Sequence, residues 1–145
     1  MGSFIASLFT TALAVQGAIA ALTTTTATLG TQHCHSPDQF GNYADVNDRV
    51  QKFGASMTCH KKGGLISSGD SPITFYVTGA NDKPGYHYGI SWVDGCEGDS
   101  QNSLTPVEGT TCEDILIGNW KNCNNNGAGG WIDAGCVRYK FWPSA

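Results

Sequence analysis

The side chains able to move protons in this chain are few and scattered. His87, Glu97, Glu113 and Arg138 are the types a small secreted ribonuclease would use: imidazole and carboxylate as base and acid, guanidinium for phosphate. No second histidine falls on a convincing neighbouring strand, so the set reads more readily as surface residues. Gly69-Asp70-Ser71 has the look of an esterase nucleophile block. No downstream Asp-x-x-His pair accompanies it, and Gly, Asp, Ser and Pro before a strand are ordinary turn residues. Asp94, Glu97 and Asp99 would need to face one another across a cleft to hydrolyse a glycoside. Three acids in one loop are more often solvated. His33-Cys34-His35 and Cys59-His60 hold metal-ligand types, but the chain has no Cys-x-x-Cys. A copper monooxygenase would need histidine at the mature amino terminus, where Ala21 or Leu22 is expected. The reading is a non-catalytic protein with no cofactor and no metal.

Recognition chemistry is better represented. Sugars are gripped by aromatic rings that pack on their C–H faces, with Asp, Asn and backbone groups fixing the hydroxyls. Tyr86, Tyr88, Trp92, Trp131 and Trp142 supply rings, and Asp94, Asn124, Asn125, Asn126 and Asp133 supply polar partners near loop ends. Tyr88 and Trp92 are expected in the core, and Tyr86, Trp131 and Trp142 at a rim. The expected ligand-binding residues are Tyr86, Asp94, Trp131, Asp133, Asn124 and Asn125. The partner is then a carbohydrate or the glycan of a glycoprotein.

These side chains need a scaffold and a compartment. Residues 1–20 lack Asp, Glu, Lys and Arg, carry a broken apolar run, and end in Ala18-Ile19-Ala20, a small-x-small cleavage pattern. The stretch is too short and too rich in Ser, Thr and Gly to span a bilayer. A signal peptide over 1–20 is expected, with a secreted, extracellular product and no stable membrane insertion. The formal charge of −4, from 8 Lys+Arg against 12 Asp+Glu, argues against a nucleic-acid surface. All six cysteines, Cys34, Cys59, Cys96, Cys112, Cys123 and Cys136, lie beyond the leader and are expected to form three disulfides. Sequence alone leaves the pairing open. Cys112 with Cys123 is disfavoured, because eleven residues of helix would separate them by roughly 16 Å.

Residues 21–33 form a Thr-rich N-terminal segment, of which Leu22 to Gly30 is expected to be an exposed tail, with a first strand as the alternative. Residues 34–145 are expected to form one disulfide-stabilised domain. Tyr43, Val46, Val50, Phe53 and Met57 recur every three or four residues and predict an amphipathic helix from about Asn42 to Met57. Ile73 to Val77 is β-branched and aromatic, and Tyr86 to Val93 alternates, so these predict two antiparallel strands. Glu97 to Ser103 reads as a polar loop. Thr105-Pro106 opens a second predicted helix that runs to about Lys121. Trp131 to Trp142 is the last strand-like element. The fold class is α+β: an antiparallel sheet of about four to five strands packed with two helices, sandwich-like and stapled by disulfides.

One stretch carries a family likeness. Cys112 opens a helix that Cys123 closes; Gly129-Gly130-Trp131, Gly135-Cys136-Val137-Arg138-Tyr139 and Trp142-Pro143 follow. This arrangement resembles small secreted fungal cysteine-rich proteins, above all the Y-three-like fungal glycan-binding domain family. A second similar group is the extracellular necrosis-effector family of plant-pathogenic fungi. The first resemblance implies an antiparallel sheet between helices, non-catalytic glycan recognition, and a homodimer that can extend the sheet. The second implies an effector or toxin acting on a host target. A small ribonuclease or hydrolase is the remaining alternative.

Overall fold

The computed structural model describes residues 27–41, 43–79 and 83–144; the expected leader and Thr-rich residues 21–26 lie outside them. The elements run β1 His33–Cys34, α1 Asp48–Cys59, β2 Leu65–Ser67, β3 Ile73–Val77, β4 Tyr86–Trp92, β5 Ser100–Asn102, α2 Cys112–Lys121, β6 Gly130–Ala134 and β7 Val137–Pro143. Five strands form one antiparallel sheet in the order β1-β6-β7-β4-β3, and β2 pairs with β5 separately. The expected α+β class with its disulfide staples is what the chain adopts. The resemblance implied a sheet between helices; here both helices pack on one face, and no described helix covers the other.

Strand periodicity decides which face is which. On β7, Val137, Tyr139, Phe141 and Pro143 are buried, while Arg138, Lys140 and Trp142 point outward. Ile73, Ile90, Ile132, Ala134, Val137 and Tyr139 meet Ala55, Cys59, Ile115 and Leu116 of the helices in the main core. A smaller cluster of Val46, Tyr86, Tyr88 and Phe141 continues it.

Of the apolar face predicted for α1, Val50 packs against the core beside the preceding Val46, but the C-terminal half of that face turns outward. Phe53 is 53% exposed and Met57 is 44% exposed. Gln51, Gly54, Ala55, Thr58 and Cys59 are buried instead. The reason is Tyr88. Its ring occupies the space a Cβ at Gly54 would need, and its hydroxyl donates to Gln51 Oε1 at 2.9 Å. Gln51 Nε2 in turn donates to the Leu116 carbonyl at 3.1 Å, so one buried amide joins α1, α2 and β4. A large ring selects a glycine and a glutamine over a phenylalanine. The helix also starts later than predicted. Asn47, in extended conformation, accepts from Val50 N at 3.0 Å and fixes the N-terminus at Asp48.

Helix α2 is likewise shorter than predicted. Thr111 and Asp114 form a reciprocal capping box, while Val107 to Thr110 closes a turn with Gly109 at φ +73°. The predicted element from Trp131 to Trp142 is two strands, β6 and β7. Ala134 pairs with Val137 across a two-residue turn, with Gly135 at φ +60° in the position that demands glycine. The supposed loop around Glu97 to Ser103 contains β5. Of the Thr-rich segment, residues 27–33 run beside β6 rather than as a tail: Leu29 bridges Ala134, and Gly30 N donates to the Asp133 carbonyl at 2.7 Å.

The disulfides are Cys34–Cys123, Cys59–Cys112 and Cys96–Cys136. Cys112 and Cys123 are not paired, as helix geometry requires. Cys59–Cys112 joins the end of α1 to the start of α2. Cys34–Cys123 holds β1 to the loop after α2.

Candidate functional site

Register places the outward residues of the large sheet in three rows. Tyr76, His87 and Trp142 form one; Thr74, Gly89, Lys140, Trp131 and His33 the next; Ser91, Arg138 and Asp133 the third. Trp131 and Asp133, two of the expected ligand residues, are neighbours here, but they are already engaged. The His33 ring stacks on Trp131 at 3.8 Å, and the Arg138 guanidinium lies 3.9 Å from the same ring centre. His33 and Arg138 come from the strands on either side, so both faces of the indole are covered. Arg138 donates to both oxygens of Asp133, at 2.8 and 2.9 Å, and these bonds hold its pKa above the ordinary value. Asp94 is exposed in the turn after β4 and adds to the negative field on Arg138.

Trp142 is the second ring of this face. It stacks against His87 at 5.1 Å and carries the Lys140 ammonium at 4.6 Å. His87 meets Ser144 Oγ at 2.8 Å, and burial lowers its pKa. The ribonuclease-type set is not assembled. His87 lies opposite Trp142, whereas Arg138 lies opposite Ser91, four residues further along β4. Strand geometry separates those positions by roughly 13 Å. Glu113 is on the helical layer, where it meets His60 at 3.2 Å.

Tyr86 is not at a rim. It is only 4% exposed and stacks on Phe141 at 5.6 Å. Its hydroxyl is buried without a hydrogen-bond partner among the described residues, and burial, reinforced by Asp45, pushes its pKa up to about 12. Asn125 is also committed elsewhere. Its Nδ2 donates to the His35 and Gly129 carbonyls at 2.8 Å each, and its Oδ1 accepts from Gly129 N at 3.1 Å. That amide closes the loop after α2. Asn124 is exposed beside a shallow depression shared with Asp45 and Trp120, and Trp131 does not border it. The six expected residues therefore fall in three separate places.

A more voluminous concavity lies elsewhere, at the ring expected to be core. Trp92 is half-buried at the end of β4, and beside it opens a groove of about 720 Å³. One wall is Trp92, Glu97 and Gly98; the other is Thr105, Pro106 and Glu108; Ser100 and Asn102 contribute further polar atoms. Disulfide Cys96–Cys136 pins the first wall to the β6–β7 turn. Val93 N donates to the Cys136 carbonyl at 2.8 Å. Gln101 donates to the Ala134 carbonyl at 2.7 Å and accepts from Cys136 N at 2.9 Å, so the floor is fixed as well. The Trp92 Nε1–H is buried with no partner among the described residues. A ring, hydroxyls, an amide and two carboxylates around a rigid, open groove suit a polyhydroxylated ligand. The available sequence signal was position: a tryptophan at a strand end, four residues before a bridging cysteine, has few neighbours to cover it.

Among the described residues, no helix is long and apolar enough to cross a membrane. No protein-family model, no curated protein and no solved structure matches the chain.

Proposed function

We propose that this chain is a secreted, non-catalytic glycan-binding module, like the fungal cysteine-rich domains it resembles, and that it binds through the Trp92 groove. The observation that carries this reading is the groove itself: a half-buried indole beside hydroxyl, amide and carboxylate groups, with the Trp92 wall pinned by Cys96–Cys136. The leader-like residues 1–20 and the three disulfides support export. The test is a glycan array with the secreted protein and a groove-blocking variant, Thr105→Arg. Thr105 is exposed and lines the groove, so its replacement leaves the core intact. Saturable binding that weakens at least roughly tenfold in Thr105→Arg, with an unchanged melting temperature, is the expected result. An array without saturable binding overturns the reading. A second reading, an effector that works at a host-cell surface, is favoured by the exposure of Phe53 and Met57.

A further inference from the structure

Helix α1 carries two stripes. Gln51, Gly54, Ala55, Thr58 and Cys59 face the sheet. Arg49, Lys52, Phe53, Ser56 and Met57 recur at spacings of three and one on the opposite side, and His60 continues the line just past the helix. Phe53 and Met57 are the two most apolar members of that stripe, and both stand in solvent. Phe75 of β3 meets Phe53 edge-on at 5.8 Å and extends the apolar strip beyond the helix. A shallow depression between Met57, Phe75, His60 and Lys61 continues it.

Cations frame this strip. Of the 8 Lys+Arg residues in the chain, Arg49 and Lys52 lie on this exposed face and Lys61 lines its far end, with Lys62 next in the chain. Lys52 pairs with Asp48 at 2.7 Å, and Lys62 with Asp70 at 2.8 Å. Lys121 shares Asp48 at 3.4 Å. Glu113 meets His60 at the far end. Even with these carboxylates counted, the patch is positive on a chain whose net charge is −4. Exposed aromatic and thioether side chains between cations on one helix face form an interfacial amphipathic surface, which gains by apolar burial and by attraction to anionic headgroups together.

We infer that the outer face of α1, with Phe53 and Met57 at its centre, docks the protein onto a lipid surface carrying anionic headgroups. This assignment rests on α1 and Phe75 alone and does not depend on glycan binding at the groove. The patch is shallow, so the contact is peripheral and reversible.

The test is co-sedimentation of the secreted protein with two kinds of vesicle, phosphatidylcholine alone and phosphatidylcholine mixed with phosphatidylserine. Binding is expected only with phosphatidylserine present, and it should fall steeply as salt is raised. The double variant Arg49→Gln, Lys52→Gln should bind such vesicles roughly thirtyfold more weakly, since two surface cations are removed. Phe53→Gln with Met57→Gln tests the apolar part, with circular dichroism as the check on folding. Equal sedimentation with both vesicle types, or none with either, overturns the proposal. So does unchanged binding by the folded Arg49→Gln, Lys52→Gln variant.

Discussion

Tyr86 buries a phenolic oxygen that has no hydrogen-bond partner among the described residues. Burying an unsatisfied hydroxyl costs about 1–3 kcal/mol. Tyr86→Phe removes that group and keeps the ring on Phe141, so the variant should be more stable by about 1–2 kcal/mol in urea denaturation. The pH dependence has a definite sign. Because the folded-state pKa is raised from 10.0 to about 12, the unfolded chain gives up this proton first, so stability is unaffected below pH 10 and falls as pH climbs toward 12. Tyr86→Phe should therefore lose less stability over that alkaline window than the parent does. Residue-level assignments were the hardest to read from sequence. Tyr86, Trp92 and Trp131 are all rings on strands, and their fates depend on cross-strand neighbours. Phe141 covers the first. A groove borders the second. His33 and Arg138 enclose the third. None of these neighbours is adjacent in the chain, so composition and alternation say nothing about them.

Element ends obey local chemistry that competes with hydrophobic period. The predicted start of α2 at Thr105 followed Pro106, a plausible first-turn residue, but the capping box at Thr111 and Asp114 governs. Asp114 Oδ2 accepts from the Thr111 hydroxyl at 2.6 Å and from Thr111 N at 3.1 Å, and these bonds lower its pKa. The box is therefore complete above the ordinary carboxylate range and is lost as pH falls through the depressed value. Thr111→Ala should cost about 1 kcal/mol at neutral pH, and less in acid once Asp114 is protonated. Urea midpoints at the two pH values check both parts. The period of α1 was legible, and its inward face was legible at Val46 and Val50 but not in the second half of the helix. Apolar spacing pointed to Phe53 and Met57, whereas close approach to the Tyr88 ring required Gly54 and Ala55. The turn at Gly135 was hidden because it is only two residues long and the strands on both sides alternate buried and outward residues.

For the whole molecule, the class was legible because it follows from counts: two helical periods, several short strands, six cysteines in a small domain. The pairing of those cysteines was not, since it depends on which ends meet in space. Each disulfide closes a long loop, with separations of 89, 53 and 40 residues. Chain-entropy arithmetic gives roughly 4 kcal/mol for a loop of such length. Replacing Cys34 and Cys123 together by serine should lower stability by about 2–5 kcal/mol. Hydrogen exchange should rise first at β1 and the loop after α2, while the helix contacts held by Cys59–Cys112 keep their protection. Uniform loss of protection would instead mean that the two disulfides act as one unit.

Ala27 and Thr28 line the groove beside Trp92. A purification tag or fluorescent fusion joined upstream of them is tethered within a few residues of the pocket whose occupancy it is meant to report. The opposite end of the chain is the safer attachment point. β7 leaves the β6–β7 turn at Val137 and ends at Pro143, which carries a C-terminal label roughly 20 Å from the groove.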